Sequence, residues 1–195
     1  MSAVATPLVL ASTSPQRRAI LEQLRIPFEV VAPKYVEDDP PGLSPVELVR
    51  VHAEGKARSV RRPGSITLGV DTEVLLDGRV YGKPADRAEA ERMLHELSGR
   101  RHTVLSGLCL LGDDVDLVLH ELTEVTFRLL RPELVQLYLG SGEWEGRAGA
   151  YAIQGLGGRL VERIEGDYLN VVGLPGALLV GLLEDRVPKL LETRR

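Results

Sequence analysis

LVLASTSPQRRAILEQL, residues 8–24, is the stretch that decides the fold. A short apolar run, Leu8 to Ala11, breaks into Ser12, Thr13 and Ser14. After Pro15, apolar residues resume at helical spacing as Ile20, Leu21 and Leu24. A buried strand passes to a helix in this way. Ser14 suits the cap, because its side-chain oxygen can take an amide of the first turn, and Pro15 suits the first helical position, where its missing N–H costs nothing. The chain turns near Pro27, and Phe28 to Ala32 reads as a second strand. The order strand, tight loop, helix, strand favours parallel pairing and an α/β sheet.

Working outward, an acidic loop at Glu37, Asp38, Asp39, Pro40 and Pro41 precedes a helix from about Pro45 to Val60. The apolar stripe of that helix is Val46, Val49, Ala53, Ala57 and Val60. Ile66 to Leu76 reads as a strand, closed by the hairpin dipeptide Asp77-Gly78 and paired with Arg79 to Tyr81. Residues 86 to 98 form a charged helix with Ala88, Met93, Leu94 and Leu97 inward. His102 to Leu111 and Val115 to Leu130 form a long antiparallel pair, and Pro132 opens a helix that ends near Gly140. A glycine-rich loop at 155 to 158, a strand at 159 to 164, a turn at Gly166 and a helix from about Pro175 complete the chain. The pattern predicts a mixed α/β sheet with helices, as one domain over residues 1–195 without linker or repeat.

Hydrophobic residues make up 44% of the 195 and charged residues 27%, an ordinary folded composition. A net charge of −4 argues against a surface that tracks a nucleic acid polymer, so any phosphate partner belongs to a small molecule. Cys109, the one cysteine, sits in the apolar run Leu108 to Leu111, which excludes internal disulfides and reads as a buried structural thiol. The N-terminus lacks a cationic start and a long apolar stretch, and no window reaches the roughly 18 apolar residues of a membrane span. A cytoplasmic protein without membrane attachment is expected.

Candidate chemistry starts at Leu10 to Arg18. Backbone amides at a helix N-terminus favour an anion, and arginine grips phosphate through paired bonds. An ordinary capped helix with solvated arginines reads equally well. No GxxxxGK followed by Ser or Thr occurs, so this is no P-loop. Lys56 borders the apolar stripe between Ala53 and Ala57, where a lysine either snorkels or meets an anion. Asp71 interrupts the apolar run flanked by Val70 and Val74. If buried it must be paired or hold metal, and with the Glu37 to Asp39 loop it offers the few hard oxygens that magnesium uses when phosphates complete its shell; otherwise it faces solvent at a strand end. Lys83, between Gly82 and Pro84, presents a cation or covers the hairpin edge, and Gln154 beside GLGG can read a base edge or stand in a plain loop. His52, His95, His102 and His120 share no ligand spacing, which disfavours zinc and serine hydrolases.

Six ordered segments resemble the Maf family of nucleotide pyrophosphatases: LVLASTSPQRRAILEQL, the VEDD loop, GKA at 55–57, GVDTEVLLDGRVYGKP at 69–84, LSGRRHTV at 97–104, and AGAYAIQGLGG followed by NVVGLP. The resemblance covers nearly the whole chain. It implies a mixed, twisted sheet with flanking helices (Maf/ITPase-like), two lobes around a nucleotide cleft, a homodimer, and hydrolysis of a nucleoside triphosphate to the monophosphate and pyrophosphate with a divalent cation, Mg²⁺ or Mn²⁺. By position it implies that Ser12, Arg17, Lys56 and Lys83 hold phosphates, that Glu37 and Asp71 serve the metal, and that Asp71 accepts the proton of the attacking water. It associates Gln16, Thr72 and Gln154 with substrate choice. Thr72 and Gln154 resemble the subgroup acting on dTTP and UTP, whereas Gln16 departs from the arginine expected there. The rival expectations are a phosphatase that releases orthophosphate and a nucleotide-binding regulator of cell division with little turnover.

Overall fold

Strand β1 (Leu8–Leu10) lies between two parallel neighbours, β2 (Phe28–Val30) and β3 (Ile66–Leu76), in the computed structural model, which describes residues 8–191. Residues 1–7, expected from their composition to carry no leader, and 192–195 lie outside the described residues. Helix α1 (Pro15–Gln23) joins β1 to β2, and α2 (Pro45–Arg58) carries the chain to β3 on the other side of β1. Among the described residues the sheet has seven strands: the order β2-β1-β3 continues through β5 (Arg101–Leu111) and β6 (Asp116–Phe127) to β7 (Val161–Glu165). The hairpin strand β4 (Arg79–Tyr81) pairs with β3. Because β6 and β7 run antiparallel while β1, β2 and β3 are parallel, the sheet is mixed, as expected.

The chain divides into two compact units, one from Met1–Asp71, Ser106–Glu121 and Gly173–Arg195, the other from Thr72–Leu105 and Leu122–Val172. In the first unit, α2 lies against the sheet at two glycines. A Cβ on Gly69 would stand 2.0 Å from the Ala53 carbonyl oxygen, and one on Gly107 would stand 2.1 Å from that of Val49. Only glycine admits a helix backbone this close to a strand. Val49, Ala53 and Ala57 are buried as the stripe predicts, and His52 and Lys56 are buried with them. Cys109 is buried beside Ala53 and Ala57, and burial pushes its thiol up to about 12, so it is structural.

The second unit adds α3 (Arg87–Leu97), α4 (Pro132–Ser141) and α5 (Tyr168–Val172). Its core joins Met93, Leu94 and Leu97 of α3 to Val135 and Tyr138 of α4. His102, Phe127 and Tyr151 meet edge to face, with His102 Nε2 2.9 Å from the Tyr151 hydroxyl. Burial holds the His102 imidazole down at about 4. Three expectations need correction. Ala90, not Ala88, is the inward alanine of α3. Arg159 and Leu160 precede β7, because a 3₁₀ turn over Gly155–Arg159 delays the strand. Helix α5 was not foreseen, its five residues being too few to show a period. The last helix, α6 (Gly176–Arg186), begins where Pro175 indicates. No helix among the described residues is long and apolar enough to cross a membrane.

Candidate active site

The loop after β1 turns one arginine inward and leaves the other outside. Ser14 caps α1, its Oγ accepting from the Arg17 amide and donating to Gln16 Oε1 at 3.1 Å. Ser12 Oγ accepts from the Ser14 amide at 3.1 Å and from Arg17 Nη1 at 3.2 Å, while Arg17 Nε donates to the Gly173 carbonyl at 2.9 Å. Arg18 instead pairs with Glu22 on the surface at 2.9 Å. The solvated reading thus holds for Arg18, while Arg17 turns to Ser12 and the Gly173 carbonyl. Burial lowers the Arg17 pKa, and the negative fields of Asp71 and then Glu37 oppose that shift. A guanidinium starts high enough to stay charged throughout. Gln16 meets the cap through Oε1, which accepts from the Ser14 hydroxyl.

Asp71 lies three residues past the register pair Leu10↔Leu68, so it emerges at the same end of the parallel strands as the Ser12 loop. That end, where the chain leaves β1 to opposite sides, is a topological switch point, the place where open α/β sheets bind ligands. Asp71 is only 6% exposed, which rules out the solvent-facing alternative. Its companions come from α2: His52 and Lys56, four residues apart and therefore on one face. Lys56 Nζ stands 2.5 Å from Asp71 Oδ1 and 2.6 Å from Glu37 Oε1. Lys56 does not snorkel; it joins the two carboxylates.

His52 was not singled out from the sequence, and it is the main addition. Its Nε2 is 3.2 Å from the Asp38 carbonyl oxygen and 3.4 Å from Asp39 Oδ1, and its Nδ1 is 3.5 Å from Asp71 Oδ2. A carbonyl oxygen only accepts, so the proton that makes this bond sits on Nε2. In the neutral ring Nδ1 then turns a lone pair toward Asp71 Oδ2, a buried oxygen without a hydrogen-bond donor. Two acceptors facing each other are satisfied together by a shared cation. Glu37, His52 and Asp71 each offer one ligand atom, all within 4.8 Å of one another, and so fit a divalent cation that takes its remaining ligands from phosphate or water.

The acidic loop reaches this place because Tyr35 lies on the backbone of α2. A Cβ on Gly55 would stand 2.3 Å from Tyr35 Cε2, so a glycine beside Lys56 makes room for the ring. The ring also lies 5.9 Å from that of His52, tilted by 59°. Burial first, then the charges of Glu37, Asp71, Asp38 and Asp39, raises the Tyr35 pKa. The sequence signal was a glycine inside a helix pattern, which marks a close approach.

Thr72, Lys83 and Gln154 belong to the second unit. Thr72 is partly buried on β3. Lys83 is exposed, between Gly82, whose carbonyl accepts from the Gly149 amide at 3.1 Å, and the buried Pro84. Gln154 is exposed, with extended backbone (φ −71°, ψ 159°), and leads into the 3₁₀ turn.

Comparison with known proteins shows the fold and the family. A Staphylococcus aureus Ham1 protein superposes with a TM-score of 0.50 at 15% identity, over 90% of this chain and 99% of that one, which is a likeness of fold. A dTTP/UTP pyrophosphatase of Symbiobacterium thermophilum is 54% identical over 170 residues, 86% of this chain and 88% of that protein. One of Gloeobacter violaceus is 46% identical over 180 residues, 91% and 95% of the respective chains. The pattern that defines the Maf-like proteins matches residues 7–186 from before β1 to the end of α6, and the chain belongs to that family.

Proposed function

We propose that the protein is a nucleoside triphosphate pyrophosphatase that hydrolyses the α–β anhydride of dTTP, UTP or related modified pyrimidine nucleotides, releasing the monophosphate and pyrophosphate. The observation that carries the reading is the buried Lys56 paired at once with the buried Asp71 and the exposed Glu37, with His52 Nδ1 3.5 Å from Asp71 Oδ2. Two carboxylates placed together in a site meant for phosphates repel the ligand unless cations intervene.

Each residue then has a task. Lys56 holds Asp71 Oδ1 and so orients the carboxylate, which accepts the proton of the attacking water. As the water oxygen bonds to the α-phosphorus, the bond to the bridging oxygen of the β-phosphate breaks and pyrophosphate departs. Arg17 and Ser12, with Lys83, offset the phosphate charge that grows on the way. Glu37, His52 and Asp71 hold a divalent cation, Mg²⁺ or Mn²⁺, which when bound supplies Lewis-acid polarisation of phosphate oxygens. Thr72 and Gln154 select a thymine or uracil base, consistent with the substrates in the names of the relatives above. Residues 1–195 act as one nucleotide-binding domain, in the cytoplasm and as a homodimer.

The test is to incubate the purified protein with Mg²⁺ and a panel of ribo- and deoxyribonucleoside triphosphates, measuring pyrophosphate and orthophosphate separately. Pyrophosphate is expected chiefly from dTTP and UTP. In Asp71→Asn, kcat should fall by roughly 10²–10⁴-fold with nucleotide binding retained. Orthophosphate as the main product, or binding without turnover, overturns the proposal.

A further inference from the structure

Gln154 lies on a short segment that is fastened at both ends by residues of one neighbouring stretch, α4 and the turn after it. On one side, the Ala152 amide donates to the Tyr138 hydroxyl at 2.9 Å. On the other, the Leu156 amide donates to Glu143 Oε1 at 3.1 Å and the Gly157 amide to Glu143 Oε2 at 3.2 Å. Glu143 thus places both carboxylate oxygens on amides at the N-terminal end of the 3₁₀ turn. Between the two anchors stand only the buried Ile153 and the exposed Gln154 and Gly155.

The fit between carboxylate and turn is close. Gly155 has φ +64°, a backbone conformation that favours glycine, and a Cβ there would stand 2.8 Å from Glu143 Oε1 and displace the carboxylate. Glu143 is itself held: its amide donates to Ser141 Oγ at 3.2 Å, and the next residue, Trp144, donates from Nε1 to the Leu139 carbonyl at 3.1 Å. Among the described residues the Glu143 carboxylate forms no ion pair, so its hydrogen bonds go to the turn alone.

We infer that Glu143 is a positioning residue for base selection: by chelating the Leu156 and Gly157 amides it fixes the backbone on which Gln154 is presented to the nucleotide base. The inference rests on the base-reading role proposed for Gln154. A carboxylate suits the task better than an amide, since it gives two equivalent acceptors to two parallel donors and its charge strengthens both bonds. Glutamine at 143 keeps one acceptor and is a partial substitute. Alanine frees both amides and lets the turn fluctuate.

The experiment compares wild type, Glu143→Ala, Glu143→Gln, Gln154→Ala and the Glu143→Ala/Gln154→Ala double variant, measuring kcat and KM by pyrophosphate release with Mg²⁺ for dTTP and dCTP. Glu143→Ala should lower the dTTP-over-dCTP preference by roughly ten- to a hundredfold, chiefly through KM for dTTP, as expected when a contact residue is displaced rather than removed. Glu143→Gln should fall between Glu143→Ala and wild type, and the double variant should lose no more preference than Gln154→Ala alone. Hydrogen exchange at the Leu156 and Gly157 amides should quicken in both Glu143 variants and stay unchanged in Gln154→Ala, a readout that serves even if the alanine variant is too unstable for kinetics. Preference lost in Gln154→Ala but kept in both Glu143 variants overturns the positioning role alone. Preference kept in Gln154→Ala overturns the base-reading role, and the positioning role with it, while pyrophosphate release by wild type stands apart from either.

Discussion

Replacing Lys56 by methionine keeps an unbranched side chain of similar length and removes the cation that holds Asp71 and Glu37. The two carboxylates respond differently to its loss. The Asp71 side chain is 8% exposed and cannot regain hydration, and breaking a buried pair in this way costs about 3–5 kcal/mol because a charge is left uncompensated. The Glu37 side chain is 49% exposed and returns to water, so its share is at most about 1 kcal/mol. Lys56→Met should therefore destabilise the protein by about 3–5 kcal/mol at neutral pH. Asp71→Asn leaves Lys56 beside Glu37 at 2.6 Å and loses one strong hydrogen bond, for about 1–3 kcal/mol. The double variant takes both charges out of the interior and should be more stable than Lys56→Met alone, a coupling of about 2 kcal/mol. Urea unfolding midpoints and m-values give the three differences, with a chelator present so that no cation stands in for the lysine. Losses that add to within about 0.5 kcal/mol refute the reasoning, since they place Lys56 and Asp71 in independent environments.

Gly69→Ala should push α2 off the sheet, because its Cβ meets the Ala53 carbonyl oxygen at 2.0 Å; a cost of about 1–3 kcal/mol in chemical denaturation is expected, with a fall in turnover. Gly181→Ala, on a helix where a Cβ meets nothing, is the control that should leave turnover unchanged and raise stability by about 0.5–1 kcal/mol. His102, held near 4 against an unfolded value of 6.5, binds fewer protons folded than unfolded between those pH values. Its stabilisation is complete above 6.5 and is lost as pH falls toward 4, amounting to about 2 kcal/mol by pH 5. Urea midpoints at pH 7 and pH 5 should show this loss in the wild type and a smaller one in His102→Gln.

Much of the fold was legible because its boundaries are set locally. Ser14 and Pro15 start α1, Asp77 and Gly78 turn the β3–β4 hairpin, and Pro132 opens α4, each through the backbone geometry that its own residue type permits. The site was legible in part for a different reason. Asp71 and Lys56 each break an apolar pattern, and such breaks mark buried charges that need partners. His52 breaks the same pattern one turn before Lys56, yet its role depends on the loop of Asp38 and Asp39 lying over α2, and nothing in the local sequence around His52 reports where that loop goes. The exchange of Ala90 for Ala88 has a similar origin: on a helix with few apolar residues, two alanines two positions apart give no period to choose between them. The same limit hid Glu143, whose partners lie 13 and 14 residues away, across a loop.

The division of the chain gives the proposed chemistry a testable grammar. Asp71 ends one segment of the first unit and Thr72 begins the second unit, so the proposed proton acceptor and a proposed base-selecting residue are neighbours in sequence but members of different packing units. Ser12, Arg17, Glu37, His52, Lys56 and Asp71 all belong to the first unit, where close glycine contacts hold α2 against β3. Thr72, Gln154 and the turn that Glu143 fastens belong to the second, as does Lys83, the one proposed phosphate-binding residue outside the first set. If reaction and recognition are partitioned in this way, substitutions in the first set act mainly on kcat whatever the base. Those at Thr72, Gln154 and Glu143 act on KM and on the ratio between bases. A first-unit substitution that changed base preference without changing kcat would contradict the partition, because Ser12, His52 and Lys56 bond to partners of their own unit, whereas the Gln154 turn is held by Tyr138 and Glu143 of the other.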